Sequence, residues 1–164
     1  MSVIATLGLA RDGDAREIAE MSRDLIEHGL DWSWTPGRVQ RFICGADSTV
    51  VVARRDAQIN AFAIMHVGND TAHLNLLAVA PPHRRQGLGG RLIEWLCATT
   101  TVAGVFRINL ELRAHNAAAR AFYEKKGFAE TGVVPGYYQG REAALRMSKF
   151  LAKQICPGGA ADPF

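Results

Sequence analysis

The segment Arg84-Arg85-Gln86-Gly87-Leu88-Gly89-Gly90-Arg91 constrains this chain more than any other stretch. It follows the apolar run Leu76-Leu77-Ala78-Val79, which Pro81-Pro82 stops, and it opens into residues 88–98, where Leu92, Ile93 and Leu96 keep helical spacing. A strand that runs through glycines into a helix gathers backbone N–H groups and the positive end of the helix dipole at one point, an arrangement suited to phosphate. The plainer alternative is a glycine-rich connection with no ligand. Two nucleotide patterns fail here: the Gly-Lys-Ser/Thr ending of the Walker motif is absent, and the dinucleotide fingerprint requires glycine where Leu92 stands.

With 164 residues there is room for one domain of ordinary size. Residues 1–151 are expected to form it, and the small, turn-rich run 152–164 is expected to remain a flexible tail. A hydrophobic fraction of 48% beside a charged fraction of 21% excludes a disordered or collagen-like chain. The net charge of +3 and a pI near 9.0 lean toward polyanionic ligands. Cys44, Cys97 and Cys156 are odd in number, far apart and without histidines at ligand spacing. The sequence thus offers no disulfide framework and no metal site, and it fits a reducing cytoplasm. No basic leader precedes an apolar stretch, and no apolar run approaches the ~18 residues of a membrane span, which argues against export and against a membrane.

Periodicity orders the remainder. Asp14 and Glu17 have capping-box spacing ahead of Ile18, Met21, Leu25 and Ile26, which predicts a helix running toward a stop at Gly29. Thr35-Pro36 predicts the start of a second helix that buries Val39, Phe42 and Ile43. Strand-like runs follow at 49–54, 59–67 and 72–79, then a helix at 88–98, a strand at 105–112, a helix at 116–126 stopped by Gly127, and strands at 128–134 and 143–150. That order predicts an α/β fold, a mixed sheet with helices on both faces.

Two blocks of sequence add a resemblance. Arg84-Arg85-Gln86-Gly87-Leu88-Gly89 matches the acyl-CoA signature Arg/Gln-x-x-Gly-x-Gly/Ala, and the run from Asn116 through Phe122-Tyr123 to Gly127-Phe128 matches Asn-x-x-Ala-x-x-Phe-Tyr-x-x-x-Gly-Phe. In that order they resemble the GNAT family of N-acetyltransferases, and the pattern is closest to its ribosomal-protein-alanine acetyltransferases. The resemblance implies a mixed, mostly antiparallel sheet splayed at an acetyl-CoA site, with no metal. It also implies that the backbone of Leu77, Ala78 and Val79 pairs with the pantetheine arm, a sequence-tolerant contact. Arg84, Arg85, Gln86, Gly87, Leu88, Gly89 and Gly90 would form the pyrophosphate cradle, flanked also by Arg91, and Asn116 would cap its helix beside the CoA arm. For the arginines the alternative is an ordinary solvated basic face.

Acetyl transfer to an amine requires a neutral amine, a donor for the oxyanion and a proton for the leaving thiolate. Tyr123 matches the family tyrosine near the CoA sulfur and is the expected proton donor; the alternative is a core aromatic beside Phe122. Alternation in Arg107-Ile108-Asn109-Leu110-Glu111-Leu112-Arg113 sets Glu111 on the polar face of a strand. Glu111 also matches the family glutamate that serves as base, directly or through a water, although Arg113 or Arg107 could simply hold it. His66, His73, His83 and His115 are expected to take no catalytic part. Tyr137 and Tyr138 match tyrosines that overlie the substrate in the resembling subgroup, or they form an exposed aromatic hairpin; Ala143 departs from the aspartate of that pattern.

The expected activity is transfer of an acetyl group from acetyl-CoA to a primary amine by direct attack, on a protein or peptide N-terminus. The α-amine, with a pKa near ~8, is easier to deprotonate than lysine at ~10.4, a difference of roughly 3 kcal/mol. A small amine such as an amino acid, polyamine or antibiotic is the alternative substrate, although residues 31–47 hold only Asp31 and Asp47 to receive a polycation. A non-catalytic acyl-CoA sensor would not need Tyr123 and Glu111, and nucleic acid is disfavoured by the lack of an interleaved aromatic and basic pattern. The chain is expected to work as a monomer or homodimer.

Overall fold

The structure is a computed structural model that describes residues 4–152; the tail expected beyond them lies outside the described residues. In chain order the elements are β1 (Thr6–Leu9), α1 (Ala15–Leu25), α2 (Pro36–Cys44), β2 (Ser48–Arg55), β3 (Gln58–Val67), β4 (Ala72–Val79), α3 (Leu88–Val102), β5 (Arg107–Arg113), α4 (Ala117–Lys125), β6 (Ala129–Tyr138) and β7 (Glu142–Phe150). The strands make one seven-stranded sheet in the order β1-β2-β3-β4-β5-β7-β6. Every pairing is antiparallel except β4 with β5.

Period-2 alternation sends the strand residues to two cores. Val51, Ala53, Ala61 and Ala63 face α3, whose Leu92, Ile93 and Leu96 complete that layer. Val50, Val52, Phe62 and Ile64 face α1 and α2, where Ile18, Ala19 and Val39 are fully buried. Helices therefore cover both faces, as the element order predicts.

The position of the site follows from one irregularity. Ile64 pairs with Leu76 and Met65 with Leu74, so Asn75 is an extra residue in β4, a β-bulge. The bulge turns the strand: Leu74 packs in the α3 layer, whereas Leu76 and Ala78 pack in the α1/α2 layer. At the same place β4 parts from β5. Their parallel register covers only residues 72–74 against 108–110. Beyond it, β3 holds β4 as far as Val79 and β7 holds β5 as far as Arg113, and the two strands open into a wedge.

Several local expectations are corrected. The Asp14/Glu17 capping box does not form, because both carboxylates find donors elsewhere. Asp14 accepts from the Arg11 backbone N–H at 2.7 Å and pairs with Arg54, while Glu17 accepts the Ile59 N–H at 3.1 Å. Helix α1 ends at Leu25, four residues short of Gly29. Beyond it Glu27 turns inward, 7% exposed, and accepts from the Ser22 hydroxyl (3.0 Å), the Ser33 N–H (2.8 Å), the Ser33 hydroxyl (2.6 Å) and the Trp34 N–H (3.2 Å). Helix α3 runs past Ala98 to Val102, and there the hydroxyls of Thr99, Thr100 and Thr101 bond the carbonyls four residues back. Strand β6 continues through Pro135 to Tyr138, which an edge strand tolerates, and its register to β7 shifts there. The α2 start agrees with expectation, with Thr35 accepting from the Arg38 N–H at 3.4 Å.

Glu27 organises the α1–α2 connection, and its removal leaves buried backbone donors without partners. Glu27→Ala is expected to lower stability by about 3 kcal/mol, and Glu27→Gln by less, read as urea midpoints. A loss below about 0.5 kcal/mol for the alanine variant would show that the connection is held by other contacts.

Candidate active site

The wedge between β4 and β5 is continuous with a cleft bounded by the start of α3, by α4, by the α1–α2 connection and by the β6–β7 turn. Its polyanion side is built by the glycine segment. Gly87 caps α3 at φ +79°, a left-handed conformation that favours glycine, and Arg85 precedes it at φ +60°. Gly89 and Gly90 serve packing: a Cβ on Gly89 would lie 3.0 Å from the Phe122 ring, and one on Gly90 would meet the Lys126 ammonium at 2.7 Å. The glycines thus bring α4 against α3 and close one wall of the cleft. The Arg84 Nε donates to the Val79 carbonyl at 3.1 Å, and Gln86 reaches the Pro82 carbonyl at 3.5 Å.

Arg91 does not flank this cradle. Its guanidinium donates to the Ala5 carbonyl at 2.8 Å, on the far side of α3, because the helix turns that position toward β1. Beside Arg84 and Arg85 the cleft is lined by Lys125 and Lys126, at the end of α4. Sequence reasoning missed both lysines; the signal was their place two and three residues after Tyr123. Leu77, Ala78 and Val79 lie on the part of β4 that has left β5, so this stretch of strand edge is open to an extended ligand. Asn75, on the bulge, lines the same cleft, and its buried Oδ1 has no hydrogen-bond partner among the described residues. Asn116 caps α4 as expected, its Oδ1 accepting the Ala119 N–H at 3.1 Å, which leaves its amide N–H₂ as a donor at the cleft. An open strand edge, a left-handed glycine at a helix start and four nearby cations suit a phosphorylated ligand with an amide-bearing arm.

The chemical side centres on Glu111, one residue past the last β4–β5 pair. Ile108, Leu110 and Leu112 are buried in the core layer, and Asn109, Glu111 and Arg113 point the other way, as alternation requires. Neither Arg107 nor Arg113 holds Glu111. Arg107 donates to Asn109 at 2.9 Å, and Arg113 donates to the carbonyls of Ile26 and His28 at 2.7 and 2.8 Å. The cation at Glu111 is Arg146, its cross-strand partner on β7, with Nε 3.3 Å from Oε1. On the other carboxylate oxygen, Oε2, lies His73 Nε2 at 2.9 Å. The Tyr137 phenol lies near the same carboxylate, whose charge helps burial to raise it. Burial opposes ionisation of Glu111, but His73 and Arg146 together outweigh it and hold the carboxyl below its ordinary range.

Tyr123 is 8% exposed and packs edge-on against Phe122 and Phe128, with centroids 5.1 and 5.5 Å apart. It belongs to the core and also lines the cleft. Burial pushes its phenol well above the ordinary value, which keeps the proton on the oxygen at neutral pH. Tyr137 and Tyr138 stand edge to face at 4.9 Å on the opposite side of the cleft. Burial, with the nearby charge of Glu111, raises both phenols. The turn that follows them is tied to the α1–α2 connection: the Asp31 N–H donates to the Gln139 side chain and the Gln139 amide donates back to the Asp31 carbonyl, each at 2.9 Å. Two loops therefore roof the Glu111 end of the cleft together. Among the described residues no group of three or more His, Cys, Asp or Glu is placed to hold a metal, and no helix is long and apolar enough to cross a membrane.

Residues 46–130 match the model of the acetyltransferase (GNAT) domain. Over 97 residues the chain is 43% identical to the ribosomal protein bS18-alanine N-acetyltransferase of Escherichia coli K12, a segment that spans 57% of this chain and 66% of that relative. The crystal structure of the ribosomal-protein-S18-alanine N-acetyltransferase from Escherichia coli superposes with a TM-score of 0.78 at 30% identity, covering 98% of this chain and 100% of the other. An acetyltransferase from Thermoplasma acidophilum, solved in complex with coenzyme A, shares the fold with a TM-score of 0.75 at 18% identity, covering 92% and 99% of the two chains. With the splayed sheet, the glycine cradle and the Asn116–Tyr123 helix in the same order, the chain belongs to the GNAT acetyltransferase family.

Proposed function

We propose that this chain is an acetyl-CoA-dependent N-acetyltransferase acting on the N-terminal amine of a protein or peptide. The observation that carries the reading is that a carboxylate centre, Glu111, and a protonated phenol, Tyr123, line one cleft at the gap where β4 leaves β5. The relative of 43% identity is itself a ribosomal-protein-alanine N-acetyltransferase, which supports the choice of amine. Acetyl-CoA and protein N-termini meet in the cytoplasm, where we place the reaction.

Leu77, Ala78 and Val79 offer their backbone edge to the pantetheine arm as an added strand. Arg84, Arg85, Gln86, Gly87, Leu88, Gly89 and Gly90 surround the pyrophosphate with backbone N–H groups and guanidinium charge, and the Asn116 amide donates along the arm. Tyr137 and Tyr138 cover the amine. The Glu111 centre takes up the amine proton, directly or through a neighbouring group, and the neutral amine attacks the thioester carbon. Tyr123 gives its proton to the departing sulfur. An α-amine suits this centre better than a lysine amine by roughly 3 kcal/mol of deprotonation free energy.

Tyr123→Phe keeps the ring packing and removes the proton. Turnover with an alanine-initiated peptide is expected to fall about 10²-fold while acetyl-CoA affinity stays unchanged, measured by CoA release and calorimetry. Full activity in this variant would remove Tyr123 from the mechanism. In the same assay, N-terminal peptides are expected to outpace free amino acids, polyamines and Nα-blocked lysine peptides; a polyamine preference would reverse the substrate assignment.

Glu111 also links stability to pH. Its folded carboxyl titrates below the ordinary 4.5, so ionisation favours the fold. That contribution is complete above the unfolded value and is lost as pH falls through the folded one. Glu111→Gln is expected to flatten the acid limb of the stability curve below about pH 4.5, read from urea midpoints between about pH 6 and 3. An acid limb of wild-type steepness would contradict the pairing with His73 and Arg146.

A further inference from the structure

We propose that His73 accepts the proton of the substrate ammonium, and that Glu111 acts as the residue that orients it. The inference rests on the N-acetyltransferase reading above and names the atom that does the work.

Both oxygens of Glu111 are already occupied. Oε1 receives Arg146 Nε at 3.3 Å and Oε2 faces His73 Nε2 at 2.9 Å. The Glu111 side chain is only 11% exposed, so with these contacts in place little of the carboxylate faces an incoming ammonium. The His73 contact fixes the state of the ring, since a nitrogen 2.9 Å from an ionised carboxylate carries a proton and donates it. In the neutral imidazole that leaves Nδ1 as a lone pair, the arrangement by which carboxylates commonly select a histidine tautomer. Nδ1 has no hydrogen-bond partner among the described residues. The side chain is 35% exposed, and it lines the cleft on the second residue of β4, two residues before the bulge at Asn75.

Chemistry favours the same atom. Transfer of a proton from an α-ammonium to a carboxylate of ordinary acidity is about 3,000-fold uphill, whereas transfer to an ordinary imidazole is only about 20-fold uphill. Arg146 on Oε1 shares the carboxylate charge, so Glu111 serves as an oriented acceptor for Nε2–H. The other titratable and charged groups on the elements around His73 include Tyr137 and Tyr138 on β6, Arg113 on β5, Arg38 on α2, Glu27 and His28 in the α1–α2 connection, and His66, its cross-strand partner on β3.

The protons balance. One amine proton passes to His73 Nδ1 and leaves an imidazolium paired with Glu111. The neutral amine forms the new carbon–nitrogen bond, and the carbon–sulfur bond breaks. Tyr123 protonates the sulfur and is restored by the second proton lost from nitrogen. His73 then releases its proton to solvent, one per turnover.

The test combines nitrogen NMR of the His73 ring in the full chain with pH profiles of kcat/KM for an alanine-initiated peptide. Expected results are a neutral ring protonated on Nε2 and an acid limb of kcat/KM in the wild type. His73→Gln, checked for wild-type folding by circular dichroism, is expected to lose that limb and about 10²-fold of kcat with the acetyl-CoA KM unchanged. A neutral ring protonated on Nδ1 would overturn the proposal even if peptides are acetylated, as would an acid limb retained in His73→Gln. Failure of the wild type to acetylate any peptide α-amine would instead overturn the transferase reading, and the proposal with it.

Discussion

The organising constraint is a parallel pairing that stops after three residues. β4 is bound along its length by β3, and β5 by β7, but between them the ladder covers only residues 72–74 and 108–110. The bulge at Asn75 redirects β4 into the α1/α2 layer while β5 stays in register with β7. Backbone groups freed in this way are unsatisfied donors and acceptors inside a cleft, which is the condition under which an extended ligand can add itself to a sheet. The glycine segment then follows directly from the end of the departing strand, so the arm and the phosphates of one ligand meet consecutive pieces of chain.

Charge is distributed unevenly along the cleft. One end gathers Arg84, Arg85, Lys125 and Lys126, and the other holds a compensated set: Glu111 between His73 and Arg146, with two phenols above. Burial raises Tyr123, while the contacts with His73 and Arg146 lower Glu111, so the acidities of the two groups diverge within one cleft. A donor and an acceptor that already differ in ordinary acidity are thereby driven further apart. The roof over this end is fixed by polar contacts of low cost, the paired Asp31 and Gln139 and the buried Glu27, so that the α1–α2 connection and the β6–β7 turn are held as one unit.

What the sequence made legible was local. The glycine segment, the Asn116 cap, the alternation that aims Glu111 away from the core and the sheet with helices on both faces all depend on residues within a few positions of one another. The partners of Glu111 were not legible, since His73 and Arg146 lie 38 residues before and 35 residues after it and meet it only through the strand order β4-β5-β7. The same cause explains Arg91, which reads as a cradle arginine by proximity but is turned to Ala5 by the helix it sits on. Glu27 carries no local signal in the sequence, because only the fold of the following connection supplies the donors that draw it inside.

The central claim, that the open edge of β4 receives the CoA arm, is tested most directly by amide hydrogen exchange with and without coenzyme A. The account predicts slower exchange in residues 75–79 and 86–90 on binding, with β1 and β2 unaffected. Binding of coenzyme A with unchanged exchange in residues 75–79 would contradict it.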